Sequence, residues 1–267
     1  MLALTPDLLA PGDGKSVQLN PAKFAWTRIR GLDEAKFETA YGALWAEFGA
    51  AHEMETRETL AGRFALGPDM RYEMVLVQEG DTFAAVRDHT AVWMDGEVIV
   101  HLSHALVAKP WRRSGLAGWI RAVPILLARE VAGAHGQLNA PITLVGEMEY
   151  DDGSDPKRTV RLAAYERAGY LKVDPAVVRY HQPDFRAPAE IDASGGPQPL
   201  AFQLIIRQIG RESERTVPAG RVRRWVRAMY ALYGAQFREQ DMRHPQLTLD
   251  HYPGDEVEIA LLPPTQP

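Results

Sequence analysis

The sequence predicts a mixed α/β protein in which a largely antiparallel sheet is flanked by helices. Apolar runs separated by short Gly/Asp turns predict a strand meander over residues 72–107. A buried strand that ends at Val107 then leads through a glycine-containing turn into a long apolar-periodic segment, residues 118–132. Apolar residues at helical spacing recur over residues 34–52 and 222–237, which predicts helices that pack on the sheet.

Composition excludes several classes of protein. The chain has no cysteine, which rules out disulfides, thiolate metal sites and a cysteine nucleophile. It has no run of about 18 apolar residues, so we expect no transmembrane helix. Its N-terminus lacks the basic-then-apolar layout of a signal peptide, which predicts a cytoplasmic protein. A net charge of −5 weighs against a general nucleic-acid binder.

The first predicted elements are an arm, a strand and two helices. Proline and glycine punctuate residues 1–23 and predict an irregular arm there. A strand is predicted at 24–29. Asp33 is predicted to cap a helix over residues 34–52, and a shorter helix follows at 56–64.

Three strands and a helix come next. The strands are predicted at 72–78, at 82–86 together with 90–94, and at 98–107, and the Asp95-Gly96 pair is a hairpin signal. In the helix that follows, Pro124 predicts a kink or an early break, because proline removes a backbone donor and clashes with the preceding turn. A further strand is predicted at 141–148.

The last part of the chain contains a second helix-and-strand series. Residues 149–157 form a polar, acidic loop, and a helix at 159–168 is predicted to end with Gly169 in the C′ position. Strand segments follow at 170–173 and 177–180, and a Pro/Gly/Ala-rich linker at 183–199. A strand at 202–209, a strongly amphipathic helix and a strand at 257–262 form a C-terminal extension.

The strand–turn–helix segment of residues 98–132 is the strongest functional signal. Such a junction aims backbone N–H groups and the positive end of a helix dipole at one point, which suits a phosphate or pyrophosphate. Lys109, Arg112 and Arg113 add positive charge beside it. The segment therefore predicts a phosphorylated ligand.

Two motifs in sequence order resemble those of the GNAT superfamily of N-acetyltransferases. The first is Val107 at the end of an apolar strand, followed by Arg112-x-x-Gly115-x-Ala117. The second is Tyr165-Glu-x-x-Gly169-Tyr, about fifty residues later, with a strand between the two. The likeness covers residues 24–182. It implies a GNAT-like mixed, largely antiparallel twisted sheet that binds coenzyme A where two central strands splay apart.

The resemblance also implies roles for individual residues. The coenzyme pyrophosphate would be bound by the backbone of the 112–118 loop: Arg112, Arg113, Ser114, Gly115, Leu116, Ala117 and Gly118. Gly115 and Ala117 would be needed because a larger side chain would block the coenzyme. The backbone of Val107 would hold the pantetheine arm, and Tyr165 would protonate the leaving thiolate.

His101 is the first candidate for the general base and Glu147 the second. His101 lies six residues before Val107, so alternation along a strand puts both side chains on one face. Arylalkylamine-type members of the superfamily carry histidines four and six residues before the equivalent valine; here the four position is Ser103. A strand histidine bonded to a neighbour is an equally good interpretation of His101. His104, which points to the opposite face, is a lesser candidate.

Other signals have simpler interpretations. His101 and His104 face opposite sides of a strand, so one metal ion cannot take both, and no metal is expected. The acidic loop is a surface loop or a rim that attracts a cationic amine. The arginines of the amphipathic helix, from Arg221 to Arg227, are typical of a solvated face or a subunit contact, which leaves a homodimer open.

Together these observations predict an acetyl-CoA-dependent N-acyltransferase. It would move an acetyl or short acyl group to a primary amine, on a small molecule or a peptide, by direct transfer in a ternary complex. The alternatives are a non-catalytic acyl-CoA sensor or scaffold of the same fold and, with less support, an aminoacyl-tRNA-dependent transferase. The predicted division is an arm (1–23), a catalytic domain (24–182), a linker (183–199) and an extension (200–267).

Overall fold

The computed structural model describes residues 2–32, 35–49 and 54–266, and the chain falls into two units. The first unit is Met1–Trp93 with Val100–Ala140, and the second is Met94–Ile99 with Pro141–Pro267. The helix cap predicted at Asp33 lies outside the described residues. None of the described helices is long and apolar enough to cross a membrane.

The first unit holds four strands in chain order, β1-β2-β3-β4, with helices before and after them. The strands are β1 (Ala25–Ile29), β2 (Met70–Glu79), β3 (Thr82–Met94) and β4 (Glu97–Val107). The helices are α1 (Gly14–Gln18), α2 (Phe37–Phe48), α3 (Arg57–Arg63) and α4 (Leu116–Ala134). β1 and β3 both run antiparallel to β2, which confirms the predicted meander.

The turn between β3 and β4 is the predicted hairpin. Asp95 and Gly96 connect the two strands, and both have positive φ angles, 49° and 80°. A two-residue turn whose twist matches the right-handed twist of the flanking strands requires positive φ at both of its residues. The ends of β3 and β4 next to this turn belong to the second unit.

Alternate residues of β2 supply two apolar cores. Met74 and Leu76 are buried with Phe37 and Leu44 of α2, in a cluster that also contains Leu60 of α3. Their neighbours Val75 and Val77 are instead buried with Leu116, Ile120 and Val123 of α4. Because side chains alternate across a strand, α2 and α3 cover one face of this sheet and α4 covers the other.

The second unit has its own antiparallel strands and helices. The strands are β5 (Ile142–Met148), β6 (Leu171–Val173), β7 (Tyr180–Gln182), β8 (Leu200–Gln208), β9 (Thr216–Pro218) and β10 (Glu258–Leu262). The helices are α5 (Pro156–Arg167), α6 (Pro188–Ala193), α7 (Ala219–Gly234) and α8 (Glu239–Leu247). The strand order is β5-β8-β6-β10-β9, and β7 pairs with β8. The described pairings are antiparallel.

A mixed α/β fold with mostly antiparallel strands and flanking helices is therefore confirmed, with differences in detail. α4 continues through Pro124, so the predicted early break does not occur. α8 was not predicted, and α6 lies inside the predicted linker. Gly169 has a φ of 77° just after α5, as predicted for a C′ glycine.

The predicted division at residues 183–199 does not coincide with the boundary between the two units. β8 lies between β5 and β6, so residues 200–208 and 142–148 share one sheet. A segment rich in proline and glycine is irregular whether it joins two domains or two strands of one sheet. Composition alone could not distinguish these cases.

A buried carboxylate ties β1, β3 and α4 to β2. The Oε2 atom of Glu73 accepts hydrogen bonds from Nε of Arg28 (2.7 Å) and Nε of Arg30 (3.1 Å). His89 Nε2 lies 3.3 Å from Oε1, and Glu130 of α4 binds both arginines. Burial by itself raises the pKa of Glu73, but His89 and Arg28 outweigh it and hold that pKa at about 2.

We expect the contribution of Glu73 to stability to depend on pH. A depressed carboxyl pKa stabilises the fold fully above the unfolded value, near 4.5, and this contribution is lost as pH falls toward 2. Glu73→Gln should therefore lower the free energy of unfolding by roughly 3 kcal/mol at pH 7 and by progressively less below pH 4.5. Urea unfolding at a series of pH values measures this.

Glu38→Gln is the matched control, because Glu38 makes an exposed salt bridge with Arg57 in the same unit. Exposed pairs contribute little, so we expect almost no change at any pH. A Glu73→Gln effect that stayed constant from pH 7 to pH 3 would contradict the assignment.

Candidate functional site

The junction between β4 and α4 has the geometry of an anion-binding turn. β4 ends at Val107, a short 3-10 turn covers Lys109–Trp111, and α4 begins at Leu116. Between them Arg113 and Gly115 adopt left-handed conformations, with φ angles of 65° and 100°. Left-handed residues beside right-handed ones turn successive N–H groups toward one concave side, which is a common way to bind an anion.

Charge at this junction also favours an anion. The first N–H groups of a helix have no acceptor within the helix and carry the positive end of its dipole. Ser114 Oγ accepts from the Leu116 N–H (3.2 Å) and so satisfies one of these donors from within the loop. Lys109, Arg112 and Arg113 are exposed beside the turn. The residues present therefore fit a phosphate group.

One contact in the loop bears on the role predicted for Val107. The Nε atom of Arg112 donates to the carbonyl oxygen of Val107 at 3.0 Å. That carbonyl belongs to the backbone which the family resemblance assigns to the pantetheine arm. A carbonyl oxygen has two lone pairs, so it can accept a second donor without losing the first.

The N-terminal arm packs on the first turns of α4. The hydroxyl of Ser16 donates to the carbonyl oxygen of Gly115 at 2.6 Å. The indole Nε1 of Trp119 donates to the carbonyl oxygen of Ser16 at 2.9 Å. Asp13 makes an ion pair with Arg121, one turn further along α4. The arm, which the sequence predicts to be irregular, therefore packs against the first unit through these contacts.

Gly115 and Gly118 are needed for this contact. A Cβ atom on Gly115 would lie 2.5 Å from the carbonyl oxygen of Lys15, and one on Gly118 would lie 2.1 Å from Ser16 Oγ. The family resemblance implied that Gly115 has no side chain because a larger residue would block the coenzyme. The nearest atoms that a side chain at this position would meet belong instead to the arm. Gly115, at the N-cap position just before α4, and Gly118, in the first turn of α4, permit this close approach.

A second arrangement of polar groups surrounds His104 on β4. Asp88 Oδ1 accepts from the backbone N–H of His104 (2.7 Å) and lies 3.0 Å from its ring Nδ1. The hydroxyl of Tyr72 donates to Asp88 Oδ2 at 3.0 Å. The ring of Phe48, on α2, lies 5.2 Å from the imidazole, centre to centre. This is a carboxylate that fixes the orientation of an imidazole.

The charge state of Asp88 follows from its neighbours. Burial by itself raises the pKa of Asp88, but His104 and Arg63 outweigh it and hold that pKa far below its ordinary value. Arg63 is itself buried and paired with Glu55. Because Asp88 is ionised, it accepts from the His104 ring through Nδ1 as well as from its backbone N–H, and these two contacts fix the orientation of the imidazole.

His101, the base preferred from the sequence, is 1% exposed. Its ring Nδ1 lies 3.2 Å from Ser103 Oγ. His101, His104, Val107 and the 112–118 loop all belong to the first unit, and they lie on β4 or directly after it.

Glu147 and Tyr165 belong to the second unit. Glu147, on β5, accepts hydrogen bonds from the hydroxyls of Tyr180 and of Tyr233 (2.7 Å) and from Gln182 Nε2 (3.1 Å). Burial, followed by the charge of Glu147, raises the pKa of Tyr180 well above its ordinary value.

Tyr165 lies in the last turn of α5 and is half-buried. Its ring packs edge-on against Tyr170, with centres 4.9 Å apart. In the acidic loop nearby, Glu149 is paired with Arg158 (3.0 Å) and Arg161. Two arginines of the same unit therefore neutralise the negative charge of Glu149.

Sequence reasoning missed Asp88, Asp13 and Ser16. Asp88 stands in the polar run Arg87-Asp88-His89-Thr90 between the two apolar halves of β3, which is a signal that buried charges there have partners. Gly115 and Gly118, two glycines close together at the start of α4, are a signal that another backbone comes close. Neither signal identifies the partner, because both partners are distant in sequence. In the described ranges, with residues 33–34 and 50–53 left aside, no three His, Cys, Asp or Glu side chains form a potential metal site.

Comparisons with known proteins give only distant structural likeness. No protein-family model matches the sequence, and no curated protein matches it. An acyl-CoA N-acyltransferase from Pseudomonas aeruginosa superimposes with a TM-score of 0.39 at 15% identity, over 69% of this chain and 99% of that one. The ribosomal-protein-S18-alanine N-acetyltransferase from Escherichia coli gives 0.40 at 14%, over 70% and 94%.

N-acetylglutamate synthase from Neisseria gonorrhoeae, complexed with coenzyme A and N-acetyl-glutamate, gives a TM-score of 0.40 at 9% identity, over 70% of this chain and 36% of that one. TM-scores below 0.5 carry no argument about fold family or activity.

The close contact at Gly118 can be tested by comparing two helical glycines. Replacing an exposed helical glycine by alanine normally stabilises a protein by about 1 kcal/mol or less. Gly42 in α2 has open space around its missing Cβ, so Gly42→Ala should follow this rule. Gly118→Ala should instead destabilise, by about 1–3 kcal/mol, because the new methyl group overlaps Ser16. Chemical unfolding of both variants measures this, and equal stabilisation by both would contradict the packing of the arm.

Proposed function

We propose that the chain is an acyl-CoA-dependent N-acyltransferase, which transfers an acetyl or short acyl group to a primary amine. One observation carries the proposal: β4 ends in an anion-binding turn and bears, three residues before its end, an imidazole held by a buried carboxylate. The turn would bind the pyrophosphate of the co-substrate, and the imidazole would accept a proton. The family resemblance of the two motifs supports the same chemistry.

The proposed reaction is a direct transfer. The amine nitrogen attacks the thioester carbonyl carbon, a C–N bond forms and the C–S bond breaks. The imidazole of His104 takes the proton that the attacking amine loses, and the hydroxyl of Tyr165 gives a proton to the leaving sulfur. Solvent then returns His104 and Tyr165 to their starting states. Asp88 holds the imidazole in a fixed orientation.

Coenzyme A binding and acyl transfer test this proposal directly. We expect calorimetric titration with coenzyme A to show one site, and acetyl-CoA to release its thiol with at least one of spermidine, tyramine or a peptide with a free N-terminus. Tyr165→Phe should lower turnover ten-fold or more, within the ~10²–10⁴ range of acid–base groups, and leave coenzyme affinity unchanged. An unchanged rate would remove Tyr165 from the mechanism.

The same titration separates the alternatives. Tight coenzyme binding without turnover on the panel would favour a sensor or scaffold. Failure to bind coenzyme A would overturn the proposed function.

The general base can be identified by comparing histidine variants. His104→Asn keeps an amide donor near the position of Nδ1, so Asp88 retains a partner while the base is lost. We expect about 10²-fold slower turnover near neutral pH. The loss should shrink as pH rises, because the amine then deprotonates in solution.

His101→Asn and Glu147→Gln test the two bases preferred from the sequence in the same assay. His135→Asn is the matched control, because His135 also lies beside a carboxylate in the first unit, with its Nε2 3.2 Å from Asp69. It should leave the pH–rate profile unchanged. If His101→Asn or Glu147→Gln gave the pH-dependent loss and His104→Asn did not, the assignment of His104 would be wrong.

A further inference from the structure

The N-terminal arm fixes one peptide unit of the 112–118 loop. The carbonyl oxygen of the Gly115–Leu116 peptide accepts a hydrogen bond from Ser16 Oγ, and its N–H donates to Ser114 Oγ. Since both ends of the peptide unit are bonded, its plane cannot rotate without breaking one of these bonds. The same carbonyl also accepts from the backbone N–H of Gly118 at 3.2 Å, so a residue almost a hundred positions earlier adds a second support to a locally bonded turn.

The loop needs such support because part of its backbone is strained. Arg113 has a φ of 65°, and a side chain in the left-handed region costs about 1 kcal/mol or more. Gly115 occupies the N-cap position of α4 and, as a glycine, has no side chain that could cap the helix. Strained conformations persist where the surroundings determine them, and the surroundings here include the arm.

The arm is attached to the same helix end that would receive a phosphate. Asp13 is 7% exposed, and its carboxyl carbon lies 2.9 Å from the place that a Cβ on Gly118 would take. Among the described residues, its buried Oδ2 has no hydrogen-bond partner, while Oδ1 binds Arg121. A negative charge beside the first turn of a helix is stabilised by the helix dipole. Charge and hydrogen bonding thus hold the arm in one place.

We propose that Ser16 is a positioning residue for coenzyme binding: it holds Gly115 in the left-handed conformation that turns the N–H groups of the 112–118 loop toward the pyrophosphate. This inference rests on the proposed function. The arm would raise the affinity for the coenzyme and would take no part in the chemical step.

Ser16→Ala tests the inference, because it removes one hydroxyl from the arm and adds nothing near the ligand. We expect the dissociation constant for coenzyme A, measured by calorimetry, to rise about five-fold, the ordinary effect of one hydrogen bond. Turnover at saturating acetyl-CoA should not change. Hydrogen exchange of the amides in residues 112–118 should become faster in the ligand-free protein.

Ser194→Ala is the matched control, since Ser194 Oγ also donates to a backbone carbonyl, that of Ile191 at 2.9 Å, in the second unit. It should leave affinity and loop exchange unchanged.

The possible outcomes are distinct. Weaker binding with faster loop exchange and unchanged saturated turnover supports the inference. Equal coenzyme binding by Ser16→Ala and the unaltered chain overturns it and leaves the proposed function intact. A lower thermal stability with unchanged affinity also overturns it, because the role of Ser16 would then be structural only. Absence of binding by the unaltered chain overturns the proposed function itself.

Discussion

The turn after β4 has another backbone packed closely against it, that of the N-terminal arm. Two left-handed residues, Arg113 and Gly115, bring the chain from the end of the strand to the start of α4. The carbonyl of Lys15 and the hydroxyl of Ser16 pack where side chains on Gly115 and Gly118 would stand. The arm thus closes the first unit over α4, and the same contact sets the direction of the N–H groups that an anion would meet.

β3 carries buried charged residues on both of its faces, and the residues of the two faces have different partners. On the side of α4, His89 lies beside Glu73, which the arginines of β1 bind from the edge of the sheet. On the side of α2, Asp88 binds His104 and Tyr72. Removing one partner from a buried ion pair leaves an uncompensated charge, which costs several kcal/mol. The first cluster joins strands to a helix, and the second fixes the orientation of an imidazole on β4.

Prediction from sequence was most accurate where short-range pattern decides structure. The hairpin at Asp95-Gly96 and the left-handed Gly169 follow from backbone sterics alone. It was least accurate where the partner is remote. The helix after Val107 continues through Pro124 because packing on the sheet outweighs one lost hydrogen bond. The arm was expected to be irregular, since glycine and proline indicate turns but do not show whether those turns are packed.

The sequence by itself determined the class of fold, the order of most strands and helices, and the strand–turn–helix junction at residues 98–132, because periodicity and turn chemistry act over a few residues. The tertiary structure decided which side chains meet there. Ser16 reaches Gly115 across 99 positions and Asp88 reaches His104 across 16. Contacts of this kind depend on how strands pair and how helices cross them, and no local pattern of residues encodes that geometry.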